Sequence, residues 1–104
     1  MKNLDNITWE NELSTHENAV ILDVRTPDEY AEKHIPNASL INVQDPQHFM
    51  SEIEQLDKTK SYFVYCKSGA RSMMACQIMS QMGFEQLANL DGGITGWHGP
   101  VVEG

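Results

Sequence analysis

This sequence has no long apolar run and no disulfide scaffold. No stretch approaches the ~20 apolar residues of a transmembrane helix. The opening Met1-Lys2-Asn3-Leu4-Asp5-Asn6 has no apolar centre of signal-peptide type. There are only two cysteines, Cys66 and Cys76, and no Cys-x-x-Cys, which excludes a disulfide framework. His16, His48 and His98 share no spacing and form no cluster with the cysteines, so no metal site is expected. Positive charge is scarce: 7 Lys and Arg stand against 15 Asp and Glu, for a net charge of −8. Such a chain repels nucleic acid and anionic membranes, and neither is expected as a partner. Repeats, linkers and low-complexity segments are missing too. The expectation is one domain over residues 1–104, in the reducing cytoplasm where a thiolate survives.

Within that frame, apolar runs alternate with helix-like stretches. Ala19 to Val24 is a strand of the kind covered on both faces, Ser61 to Tyr65 is another, and Leu40 to Val43 and Gln86 to Leu90 are weaker ones. Ile7-Thr8-Trp9 is expected to add an edge strand. Thr26-Pro27-Asp28-Glu29 is a capping box with proline at the first helical position. Asp45-Pro46 opens a helix carrying Phe49, Met50, Ile53 and Leu56. A further helix runs from Arg71 to Met82, with Gly83 closing it. Asp91-Gly92-Gly93 is a turn, and Ile94 to Trp97 a last short helical turn. Strands and helices alternating in this way imply a mainly parallel α/β sheet with helices on both faces, whose sites form beyond the C-terminal strand ends.

Cys66 ends one of those strands. The loop after it, Lys67-Ser68-Gly69-Ala70, leads straight into a helix. Amides at a helix N-terminus favour negative charge, so a cysteine there is expected to ionise readily and act as a nucleophile. Lys67 and Arg71 add positive charge. A cation in the first turn opposes the helix dipole by ~0.3–1 kcal/mol, so Arg71 is poorly placed for stability and is expected to hold an anion. Cys76, among Met73, Met74, Ala75 and Met79, reads as core filler, with a resolving thiol as the alternative. Asp28-Glu29 and Glu52-Ile53-Glu54 read as solvated helix faces, and His34, Trp9 and Trp97 as structural.

The segment Cys66-Lys67-Ser68-Gly69-Ala70-Arg71-Ser72 resembles the active-site loop of single-domain rhodaneses, a sulfurtransferase family. Ile21-Leu22-Asp23-Val24-Arg25-Thr26-Pro27-Asp28-Glu29-Tyr30, continuing as His34-Ile35-Pro36-Asn37-Ala38, is similar to the family's first signature. Leu90-Asp91-Gly92-Gly93-Ile94-Thr95-Gly96-Trp97 is similar to its last. These stretches span most of residues 7–98 in the right order. Asn37 and Lys33 stand where glycine is usual, and Asn37 is expected to take the turn's left-handed angles.

The resemblance implies a five-stranded parallel sheet flanked by helices. It also implies catalysis through a persulfide on Cys66, with thiosulfate or a similar anionic donor, and cyanide or a thiol as acceptor. No cofactor is implied beyond that covalent intermediate. Lys67, Ser68, Gly69, Ala70 and Arg71 are then the substrate-binding residues, and Asp23, Arg25 and Ser72 support the site. Four residues separate Cys66 from Arg71, where related phosphatases carry one more. The tighter ring suits sulfur, and phosphatase chemistry is the enzymatic alternative. The alternative of another class is a persulfide carrier or interaction module serving a protein donor or acceptor.

Overall fold

In the computed structural model, which describes residues 1–104, five strands form one parallel sheet. They are β1 (Lys2–Leu4), β2 (Ala19–Asp23), β3 (Ser39–Leu40), β4 (Ser61–Tyr65) and β5 (Gln86–Leu90). Their order across the sheet is β1-β5-β4-β2-β3. The helices are α1 (Asn6–Thr15), α2 (Pro27–Glu32), α3 (Pro46–Glu54) and α4 (Ala70–Gln81), with a 3-10 turn at Ile94–Gly96. β4 is central and buried along its whole length, as a continuous apolar run in a doubly covered sheet must be.

Alternate residues of the strands feed two cores. On one face Leu22, Tyr62, Val64 and Leu87 pack against Phe49 and Ile53 of α3 and Ala75, Cys76 and Met79 of α4. On the other, Phe63, Tyr65, Ala88 and Leu90 pack against Trp9 of α1, with Tyr30 of α2 and Trp97 at the margin. Cys76 is fully buried in the first core, and burial pushes its thiol up to about 12. No helix is long and apolar enough to cross a membrane.

Two local expectations are corrected. Ile7-Thr8-Trp9 lies in α1, and the edge strand is Lys2–Leu4. Strand-favouring side chains lose here to a helix cap: the Asp5 carboxylate accepts the Thr8 amide at 2.8 Å. Trp9 is then buried beside β5, and its indole N–H donates to the Ala88 carbonyl at 3.2 Å. The second correction is the length of β3, which stops at Leu40. Ile41 and Val43 still donate to the carbonyls of Asp23 and Val24, but Asn42 bends the chain by accepting the Gln44 amide at 2.9 Å. Asn37 takes φ 70°, the left-handed turn expected of it.

Candidate active site

The sheet order places Cys66, at the end of the central strand, between the C-terminal ends of β2 and β5. The loop from Cys66 to Gly69 turns sharply into α4, and Gly69 caps that helix at φ 109°, an angle that strains any residue with a Cβ. This conformation aims amides at the sulfur. The Gly69 N–H donates to Cys66 Sγ at 3.0 Å, and the Ser72 hydroxyl lies 3.3 Å from it. Burial pushes the Cys66 thiol up, yet hydrogen bonds from the Ser72 hydroxyl and the amides of Ser72, Gly69 and Ser68 outweigh it, and the net direction is down. Two donors reach the sulfur directly, the Gly69 amide and the Ser72 hydroxyl.

Cys66 is fully buried at rest and belongs to the first core, while Lys67, Ser68 and Ala70, which follow it, are exposed. Beside the loop lies a cleft of about 320 Å³ lined by Lys67, Arg25, Glu29, Glu32, Lys33 and Thr95, among others. Lys67 thus faces open space next to the loop with its charge available.

Arg71 has a partner within the protein that the sequence did not show. Its guanidinium is gripped by Glu29 through two bonds of 2.8 and 2.9 Å. The anion that offsets its conflict with the α4 dipole is therefore part of the protein. Glu29 in turn is no solvated face residue: it is half-buried and also accepts from the amide and hydroxyl of Thr26 in the capping box of α2. The Arg71 guanidinium, helped by Thr26 against the opposing effect of burial, holds the Glu29 carboxyl down from 4.5 to about 2. The capping box could be read locally, but the partner is 42 residues away in sequence.

Because the carboxyl is more acidic in the folded protein, its contribution is complete above about pH 4.5 and is lost as pH falls from there through about 2. Glu29→Gln keeps the capping geometry and removes the charge. It is expected to lower stability by about 1–2 kcal/mol at neutral pH, allowing for solvent screening. Urea midpoints measured against pH should converge with wild type in the acid range; a gap independent of pH would deny the ion pair its role.

Asp23 and Arg25 sit on the other side of the strand end. The Arg25 guanidinium reaches Asp23 at 2.6 Å, both side chains buried, and donates to the carbonyl of the exposed Lys33 at 2.7 Å. Tyr65, which sequence offered only as a strand residue, completes this group. Its hydroxyl donates to Asp23 at 2.7 Å and accepts the Ile35 amide at 3.0 Å. Burial and the Asp23 carboxylate push the Tyr65 phenol well up, so it stays a neutral donor. Immediately before Cys66, Tyr65 ties the end of β4 to β2 and to the turn after α2.

The turn after β5 supports the loop from the far side. The amides of Ile94 and Thr95 donate to the carbonyls of Cys66 and Lys67 at 2.9 and 3.1 Å. Nothing in Asp91-Gly92-Gly93 beyond its turn character indicated this contact.

Known proteins resemble this chain over most of its length. Residues 7–100 match the model of the rhodanese-like domain. A sulfurtransferase of Allochromatium vinosum is 36% identical, covering 95% of this chain and 92% of that protein. A thiosulfate sulfurtransferase of Coxiella burnetii is also 36% identical, over 88% of this chain and 85% of its own. Among solved structures, a rhodanese-like domain protein from Staphylococcus aureus superposes with a TM-score of 0.80 at 29% identity, covering 93% of this chain and 91% of that one. The match over residues 7–100 and the 36% identity to the Allochromatium vinosum sulfurtransferase place this chain in the rhodanese-like domain family.

Proposed function

We propose that this protein is a sulfurtransferase that moves sulfane sulfur from thiosulfate, or a similar anionic donor, to a cyanide or thiol acceptor through Cys66. The observation that carries this reading is the Gly69 amide 3.0 Å from Cys66 Sγ, joined by the Ser72 hydroxyl at 3.3 Å. These donors favour the thiolate, which is the nucleophilic form.

The Cys66 thiolate attacks the outer sulfur of thiosulfate. The new S–S bond forms as the old one breaks, and the electron pair leaves with sulfite. The charge then rests on the outer sulfur of the persulfide. In this reading the amides of Ala70 and Arg71, in the first turn of α4 where no intrahelical acceptor exists, donate to it. Cyanide takes that sulfur as thiocyanate and returns Cys66 as a thiolate; a thiol acceptor takes it as its own persulfide. Since Cys66 is fully buried at rest, attack requires the donor to gain access to it past the exposed segment Lys67–Ser68. Lys67 supplies the free cation for the donor, while Arg71, already paired with Glu29, orients the loop.

Mass spectrometry after treatment with thiosulfate tests this directly. The expected result is a gain of one sulfur atom on the peptide carrying Cys66, removed again by cyanide. A protein that gains nothing from thiosulfate but accepts sulfur from a protein persulfide would be a carrier, and the proposed donor would be wrong.

A further inference from the structure

Ser72 has one hydroxyl hydrogen and two acceptors within reach: Cys66 Sγ at 3.3 Å and the Gly69 carbonyl at 3.1 Å. It can satisfy only one at a time. The Gly69 carbonyl has two lone pairs. The Met73 amide approaches at 3.0 Å, and the side-chain amide nitrogen of Asn89 at 3.5 Å, the long end of a hydrogen bond.

Asn89 lies on β5 opposite Val64 and Asn3 and is 1% exposed. Its nitrogen also donates to Asn3 Oδ1 at 2.9 Å. Its own Oδ1 is the one buried side-chain nitrogen or oxygen atom in the protein without a partner. Turning the amide over would face that oxygen toward the Gly69 carbonyl oxygen, so the observed orientation is the electrostatically favoured one. A leucine of similar size would carry no such unsatisfied atom. Asn89 is therefore a poor choice for stability alone, and its contact with the active-site loop gives it another purpose.

We propose that Asn89 is a positioning residue for the Cys66 thiolate: by occupying the Gly69 carbonyl together with the Met73 amide, it leaves the Ser72 hydroxyl to bond the sulfur. The inference rests on Cys66 being the reactive group. Without Asn89, the Gly69 carbonyl regains a free lone pair and competes for the Ser72 hydrogen, so the thiolate loses part of its stabilisation.

The test is a pH titration of the Cys66 thiolate by its ultraviolet absorbance, in a Cys76→Ala background so that one thiol is read. Asn89→Leu should raise the apparent pKa by about 0.5–1 pH unit, and Ser72→Ala by at least as much. The decisive variant carries both changes: with no hydroxyl to redirect, Asn89→Leu should add nothing to Ser72→Ala. An unchanged titration in Asn89→Leu would overturn the proposal. So would an equal shift from Asn89→Leu with and without the Ser72 hydroxyl, which would show that Asn89 acts on the loop backbone instead. Asn89→Ala serves if the leucine variant fails to fold, with circular dichroism as the check. The titration needs no sulfur transfer, so it is decided separately from the proposed reaction, which Cys66→Ser tests.

Discussion

Cys66→Ser is expected to lower sulfur transfer by ~10⁴-fold or more, the scale of losing a covalent nucleophile. A serine hydroxyl ionises far less readily than a thiol and forms no persulfide, so the surrounding amides cannot rescue the reaction. The fold should survive. Serine is close to cysteine in size, and the Gly69 amide that reaches Sγ at 3.0 Å is placed to bond a hydroxyl oxygen as well. A stability change of about 1 kcal/mol is expected, read from urea denaturation. Cyanolysis of thiosulfate measures the activity. Substantial transfer by Cys66→Ser would move the chemistry elsewhere, and the chain offers only one other thiol. That thiol, Cys76, is fully buried and pushed up to about 12, so it is protonated at neutral pH and unsuited to the task.

Gly93→Ala should damage the fold, and activity with it, although Gly93 carries no chemistry. A Cβ there would stand 2.4 Å from the Lys67 carbonyl oxygen, 2.5 Å from its carbon and 2.6 Å from the Cys66 carbonyl oxygen, at φ 59°. These are backbone atoms of the active-site loop, so no side chain can swing aside. Either the loop or the turn after β5 must move, and the bonds from Ile94 and Thr95 to the loop carbonyls are lost with it. Adding the positive-φ strain to the cost of overpacking gives a destabilisation of about 3–5 kcal/mol. Activity should fall with it. Gly92→Ala is the control: its φ is 81°, but a Cβ there meets nothing within 4 Å. It should cost only the backbone strain, about 1–2 kcal/mol. Equal losses for the two variants in urea denaturation would mean that contact with the loop is not what demands glycine at 93.

Much of the fold could be read along the chain because the relevant signals are local. The apolar runs at Ala19–Asp23 and Ser61–Tyr65 mark doubly covered strands, and Thr26 and Asp45 begin helices through their own side chains. Asp5 begins one in the same way, yet Ile7-Thr8-Trp9 suggested a strand, since three residues are too short a window to separate the two periods. Within the site, Cys66 and the amides that follow it were legible because a strand end, a glycine and a helix start are consecutive. Glu29, Tyr65, Gly93 and Asn89 were not. Each meets the loop or its supports through the sheet, across the ends of β2, β4 and β5, and nothing local records such a pairing.

Cys66, its loop and the parallel α/β architecture were determined by sequence alone, because strand, glycine and helix signals act over a few neighbouring residues. Tertiary structure alone decided what surrounds that loop. The order β1-β5-β4-β2-β3 carries the Glu29 carboxylate to Arg71, the Asn89 amide to Gly69 and the Gly93 turn to Lys67. It thereby gives Arg71 a carboxylate partner within the protein. Charge and hydrogen-bond partners depend on distance in space, and in this protein those distances are set by which strand ends lie side by side.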